Sequence, residues 1–548
     1  MRPSASTQAS SRSAIVGANL IVFASSAFIM TLEIVAARLV AQHLGVSLYT
    51  WTAVIGVVLA GIAVGNYVGG KLADLYAPRA LLTTLFLFAS ISSLSVLFIV
   101  DWMGSWERPE FISWPFWILR NVALTFFAPA TIMGTISPVA AKLALTARRE
   151  VGATVGTLYA SGAAGSILGT FLTGYVLIDA FGTKTIVCAI ATGLGLLGLL
   201  VGRKLPRSPA SFFVAWLSFL FVISSLSVAP WAWSERWGHF FGLRFATDHL
   251  HYQDESSYFA IEIYDAEEFE NTRVLALDHL VHSYVNMDDI TQLEYGYETV
   301  YAAVTHHLID TDRPLRALFI GGGGFTFPRY LETRFAAATI DVAEIDPAVK
   351  RAAQAALGLP ADNATRIRTH TMDARNYIAD LQRQNRRGTQ PHRFDFVYGD
   401  AFNDLGVPYH LTTQGFNERL AEVMTPDGVY MINIIDIYRE GLGKFLGSYV
   451  STVRQTFPFI YVFAGDPDGP TDERDTFIVV SSRRALPILD IESKENVPDA
   501  WGRVFAWAEA EHLGGDMATV LRRSGGLVLT DDHAPVDNLL APLFTDGK

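Results

Sequence analysis

Cysteine is almost missing. Cys188 is the only one in 548 residues, which excludes an intrachain disulfide framework and any thiolate metal cluster. Charge is scarce too: only 18% of residues are Asp, Glu, Lys or Arg, and half are hydrophobic. A chain that apolar is not a wholly soluble enzyme, and the shortage is uneven. Residues 1–233 carry a net charge of +7, and the remainder carries −19, within a total of −12. An acidic second half excludes nucleic acid as a partner and fits a cationic one. Also missing is a lysine behind the one glycine cluster, Gly321 to Gly324. Without it the cluster is no nucleotide-triphosphate loop, and without a third fingerprint glycine it is not a dinucleotide loop.

What is present divides the chain into about three or four domains by length. Residues 1–13 are Ser-rich and read as a disordered tail. Residues 14–233 read as a membrane domain of about seven transmembrane helices, near 14–36, 50–70, 80–101, 116–143, 152–178, 184–202 and 211–233. Glycines at helical spacing, such as Gly61, Gly65 and Gly69, suit close helix packing. Pro129 and Pro138 are candidates to kink the fourth span. Arg120 and Asn121 are polar residues near its start, open to interface anchoring or function. Lys and Arg concentrate in alternate loops, which puts the N-terminus inside and, with seven spans, everything after Trp233 outside. Trp231 to Trp237 reads as an interface girdle.

Beyond it the pattern changes. Tyr258–Tyr264 and Arg273–Leu277 read as strands of a small β domain over 246–290. Residues 291–485 read as an α/β domain, with a polar loop at Gln382–Pro391, and 486–548 as a C-terminal extension. Within the α/β domain, the apolar run Ala317–Ile320 ends in Gly321, Gly322, Gly323 and Gly324. A helix follows, then a second apolar run ending in Glu344 and Asp346. Strand, glycine turn, helix, strand and acid form the first half of a doubly wound nucleotide-binding fold. Two further strands end at Asp373-Ala374 and Asp400. In such a fold the carboxyl ends of strands line one crevice, so these acids converge. Glu344 suits ribose hydroxyls, Asp373 an adenine amino group, and the glycines the sugar or its substituent. Without a phosphate-binding lysine the combination fits S-adenosylmethionine or a relative, charged at sulfonium.

These stretches carry a resemblance. Tyr252-Gln253-Asp254, Leu277-Asp278-His279, Ile320–Gly324, Glu344-Ile-Asp346, Asp373-Ala374, Asp400-Ala401 and Pro408-Tyr-His-Leu-Thr412 resemble the spermidine synthases (polyamine aminopropyltransferases). With its apolar first half and the ending Thr530-Asp-Asp-His-Ala-Pro-Val-Asp537, the chain looks like the membrane-fused spermidine synthase-like proteins of bacteria. The resemblance implies an S-adenosylmethionine methyltransferase-type, Rossmann-like domain preceded by a small β-sheet domain. It implies transfer of an aminopropyl group from decarboxylated S-adenosylmethionine, as co-substrate, to a small cationic amine, with no permanently bound cofactor and no metal. Glu344 and Asp373 then bind the nucleoside together with Gly321, Gly322, Gly323, Asp346 and Ala374. Gln253 sits near the aminopropyl end, and Asp400 takes a proton from the attacking amine. Tyr297 and Asp278 contact the acceptor. The soluble family often dimerises, which implies a homodimer.

Three departures stand out. Gly324-Phe325 stands where the family has Asp-Gly, Tyr297-Glu298-Thr299 replaces Tyr-His-Glu, and His279 replaces a glycine. They alter the amine side and argue against putrescine. The expected place is the bacterial inner membrane, in contact with the lipid bilayer. Loop charges put the C-terminal domain outside, whereas a cytosolic donor puts it inside. Two other readings stay open: a transferase acting on another acceptor, and a non-catalytic ligand-binding sensor or transport-associated protein.

Overall fold

The computed structural model describes residues 5–104, 106, 108–109, 111–146, 151–203, 216, 249–388, 392–402, 406–439, 441–465, 474–488, 490–491, 504–505 and 516–543, with backbone alone for 5–13, 490–491 and 504–505. It divides into two compact units, residues 1–247 with 255–257, and 248–254 with 258–548.

Among the described residues of the first unit, six helices are long and apolar enough to cross a membrane: Ala14–Leu44, Leu48–Leu75, Pro78–Gly104, Trp114–Leu145, Val151–Phe181 and Thr183–Gly202. The expected seventh span, 211–233, and the girdle at 231–237 fall almost wholly outside the described residues. The first helix begins at Ala5, so residues 5–13 are helical where the sequence predicts a disordered tail. The fourth span breaks into Trp114–Gly134 and Ile136–Leu145. Pro138 explains the position, since it has no N–H to donate to the Gly134 carbonyl. Pro129 lies inside the first piece. Close packing follows the small residues: a Cβ on Gly65 would strike the Thr131 carbonyl, and one on Gly165 the Phe23 carbonyl. Arg120 lies over the rings of Trp106 and Trp117, 4.8 and 4.2 Å from their centroids.

The second unit opens with a four-stranded sheet in chain order, β1 Leu250–Glu255, β2 Ala260–Asp265, β3 Thr272–Leu277 and β4 Leu280–Asn286. The sequence reading anticipates β2 by alternation and β3 as a short apolar run. β1 has no fully buried position and ends in Asp254 and Glu255, and β4 interrupts its apolar residues with His282 and Ser283. The main sheet has seven strands: β5 Leu315–Ile320, β6 Ala338–Glu344, β7 Ile367–Thr371, β8 Phe394–Gly399, β9 Met424–Ile437, β10 Phe459–Ala464 and β11 Arg474–Ser482. Their order is β10-β11-β9-β8-β5-β6-β7. β7, β6, β5, β8 and β9 run parallel, while β11 lies antiparallel to both β9 and β10.

Alternate residues of β5 enter two cores. Ala317 and Phe319 pack on one face with the helices Gly296–Leu308, Thr326–Arg334 and Pro347–Ala356, whereas Leu318 and Ile320 pack on the other with Ala374–Arg387, Gln414–Glu422 and Lys444–Val453. Helices on both faces bury the parallel strands, so Ala317–Ile320 of β5 reads as one continuous apolar run. The helix starting at Ala374 runs to Arg387, so the polar stretch from Gln382 is helix rather than loop as far as that residue. β5 is flanked by β6 on one side and β8 on the other. The strand order therefore reverses there, and a crevice forms at the carboxyl ends.

Candidate active site

The glycine turn is built by close approach. Gly321 has φ +94° and its N–H donates to Ala343 at 2.9 Å. A Cβ there would run into the Asp400 carbonyl, so both dihedral and space demand glycine. The Gly322 N–H donates to Glu344 Oε2 at 2.7 Å, and the Asp346 N–H to Glu344 Oε1 at 2.9 Å. Phe325 closes the turn at φ +56°, fully buried. A non-glycine residue there stores backbone strain. Buried Arg329 holds the strained segment, donating to the carbonyls of Gly324 (3.2 Å), Phe325 (3.1 Å) and Leu357 (2.7 Å).

Two acids border this turn toward β7. Burial pushes the Glu344 carboxyl up to about 7, against the pull of its backbone N–H partners. Asp373 caps the helix Ala374–Arg387, accepting from the Asn376 N–H at 3.0 Å, and its other oxygen meets His410 Nε2 at 2.8 Å. The His410 bond holds Asp373 below the usual carboxylate range. Tyr258, between β1 and β2, has its phenol raised by burial and then by the charges of Asp346, Asp373 and Glu344. Asp346 caps the helix Pro347–Ala356 through the Ala348 N–H at 2.8 Å.

The third acid stands on the β8 side. Asp400 accepts from the Tyr297 hydroxyl at 2.9 Å and from Asn433 Nδ2 at 3.0 Å. Burial raises its carboxyl, and the two hydrogen bonds oppose that rise. Glu298 is buried next along the same helix, raised by burial and then by Asp400, and its Oε2 has no hydrogen-bond partner among the described residues. Leading away from Asp400, tyrosine rings follow one another: Tyr297 to Tyr295 at 5.1 Å between centroids, and Tyr295 to Tyr284 at 5.2 Å. Such faces suit an aliphatic ammonium.

The structure thus brings Gly321, Gly322, Gly323, Glu344, Asp346, Asp373, Ala374, Asp400 and Tyr297 to one edge of the main sheet. Gln253 and Asp278 belong to the small sheet instead. Gln253 is exposed and donates to Glu262 at 2.9 Å. Asp278 turns the β3–β4 hairpin at φ +54° and accepts from the Ala260 N–H at 2.9 Å. That is a turn-forming task. Sequence reasoning gave no role to Tyr258, His410, Asn433 or Glu298. Asn433 had a signal, an amide ending the otherwise apolar run Val429–Ile432. The structure also explains Gly324: a Cβ there would lie 2.7 Å from Ser283 Cβ, and its N–H donates to Ser283 Oγ at 2.8 Å. β4 therefore fills the space in which an aspartate side chain would sit. Among the described residues no cluster of His, Cys, Asp and Glu could hold a metal ion.

Comparison with known proteins supplies a context. A polyamine aminopropyltransferase of Vibrio vulnificus is 31% identical over 156 residues, 28% of this chain and 48% of that protein. A probable polyamine aminopropyl transferase of Bifidobacterium longum is 24% identical over 307 residues, 54% of this chain and 64% of that one. The chain thus spans about half to two-thirds of the length of these relatives. A probable spermidine synthase from Corynebacterium glutamicum superposes with a TM-score of 0.40 at 20% identity, over 52% of this chain and 98% of its own. No family model matches the chain. The C-terminal half is similar to polyamine aminopropyltransferases, as its motifs imply.

Proposed function

We propose that the C-terminal unit is an aminopropyltransferase. It moves the 3-aminopropyl group of decarboxylated S-adenosylmethionine to an amine, from a protein held in a lipid bilayer by its apolar helices. The observation that carries this reading is the buried Asp400 carboxylate, gripped by Tyr297 and Asn433 and set beside the glycine turn. Glu344 accepts hydrogen bonds from the ribose, and Asp373 faces the adenine. The acceptor nitrogen attacks the methylene carbon bound to sulfonium. A C–N bond forms as the C–S bond breaks, and its electron pair leaves with sulfur as neutral 5′-methylthioadenosine. The nitrogen gains positive charge, and Asp400 takes its proton. Burial suits Asp400 to that task, because a carboxyl with a raised pKa is a stronger base than an exposed one. The tyrosines from Tyr297 to Tyr284 carry the acceptor's stem.

The closed position at Gly324 leaves no acid there to hold the donor's own ammonium, so donor identity is the sharpest test. Purified full chain is supplied with a diamine panel and either decarboxylated or intact S-adenosylmethionine. The reading predicts methylthioadenosine from the decarboxylated donor only. S-adenosylhomocysteine from the intact donor would make the protein a methyltransferase, and no product from either would remove the enzymatic reading. A reporter fused after Lys548 checks the side, with a cytoplasmic signal expected.

A further inference from the structure

The Thr530–His533 turn carries a carboxylate that the reaction above does not use. Asp531 Oδ2 accepts from Arg375 Nη2 at 2.5 Å, and its Oδ1 from Thr413 Oγ1 at 2.5 Å. Arg375 reaches on with Nη1, which donates to the His410 carbonyl at 2.8 Å. His410 Nε2 then meets Asp373 Oδ2 at 2.8 Å. A continuous run of contacts thus joins the C-terminal turn to the acid on the adenine side. We propose, on the aminopropyltransferase reading, that Asp531 is a positioning residue for the donor nucleoside, fixing Asp373 through Arg375 and His410.

The turn does not need Asp531 to stay in place. Leu529 is fully buried, its N–H donates to Thr452 Oγ1 at 2.8 Å, and its carbonyl accepts from the Gln414 N–H at 2.8 Å. Thr530 and His533 exchange backbone hydrogen bonds at 3.0 and 3.1 Å. The Arg375–Asp531 pair is partly exposed, with half of the Asp531 side chain open to solvent. Exposed pairs add little to stability, so a purely structural pair would leave little trace when removed. What Asp531 controls is orientation. A two-pronged guanidinium held from one side keeps its other prong on the His410 carbonyl, which fixes the backbone from which the His410 ring reaches Asp373.

The test is a double-mutant cycle on the full chain with Asp531→Asn, His410→Asn and the pair together. Asp531→Asn is expected to raise the donor KM by roughly three- to tenfold, the weight of one charge-assisted hydrogen bond lost at a distance. It should leave kcat at saturating donor, the amine KM and the melting temperature unchanged. The double variant should be no worse than His410→Asn alone, because both act on the same carboxylate. An unchanged donor KM, a shift in the amine KM instead, or additive effects would overturn the proposal while the unaltered enzyme remained active. If the unaltered chain neither turns over the donor nor binds 5′-methylthioadenosine in calorimetry, the aminopropyltransferase reading falls and this proposal with it.

Discussion

The two sides of the crevice hold their acids by different means. On the β6–β7 side, Glu344 takes the backbone N–H groups of Gly322 and Asp346, and Asp373 takes that of Asn376 on one oxygen and the His410 side chain on the other. On the β8 side, Asp400 is held by two side chains, Tyr297 and Asn433. Backbone donors are fixed by the fold, and no single substitution removes them. Side-chain donors can be exchanged one at a time. The contrast teaches where such a site can change its chemistry: Glu344 is tied to the turn between β5 and its helix, whereas Asp400, and Asp373 through His410, rest on exchangeable side chains, and the Asp400 side is the more adjustable. The departures from the aminopropyltransferase pattern at Glu298 and Thr299 fall on the adjustable side. The one at Gly324 falls where β4 meets the glycine turn.

Substitutions can break this contrast. The largest effect is expected from Asp400→Asn. It should lower kcat by about two to four orders of magnitude, the range for a lost general base, with donor affinity unchanged in calorimetry. Equal losses in both would mean that Asp400 also holds the donor. Next comes Glu344→Ala, which removes the proposed ribose acceptor and should weaken methylthioadenosine binding by roughly tenfold to a hundredfold, as expected for a charge-assisted bond. The kcat at saturating donor should persist.

The pH dependence sharpens the comparison further. Glu344 is raised to about 7 in the fold, so the protonated form is the one that folding favours. Its contribution to stability is complete below its ordinary range and is lost as pH rises through about 7. Ribose hydroxyls donate to the ionised form, so nucleoside binding runs the other way. Affinity should rise roughly tenfold from pH 6 to pH 8, with proton release on binding. A flat profile would take Glu344 out of the nucleoside site. The smallest effect is reserved for Tyr297→Phe. One of the two bonds opposing the rise of Asp400 is then gone, so the acidic limb of the pH–rate profile should move to higher pH, with about a fivefold loss near neutrality. An unmoved limb would mean that Tyr297 serves only as a wall.

Much of this arrangement was legible in the residues. The glycines, Glu344 and Asp400 each follow an apolar run, Asp373 follows the largely polar strand β7, and the carboxyl-end rule for parallel sheets places them together. Strand β10 was not legible. Phe459–Ala464 is a short apolar run without alternation, bounded by Pro458 and Gly465; such a run does not by itself separate a strand from a buried helical piece, and its pairing with β11 identifies it. The partners of the acids were hidden for a related reason. His410 and Asn433 lie 37 and 33 residues from the carboxylates they contact, and no local spacing encodes such a meeting. Asp278 shows the converse. Its motif marks it for the acceptor, and the structure places it at a left-handed turn position, which an aspartate tolerates. In the helical unit, glycine spacing showed which helix faces would touch, while the break at Thr135 depended on which of two prolines could be absorbed.

The most direct measurement is a structure of the full chain saturated with 5′-methylthioadenosine. The ribose hydroxyls should meet the Glu344 carboxylate, the adenine should lie on the Asp373 side, and the thioether sulfur should face Asp400. A nucleoside seated away from Gly321–Gly324, or no nucleoside at saturating concentration, would contradict the proposed site.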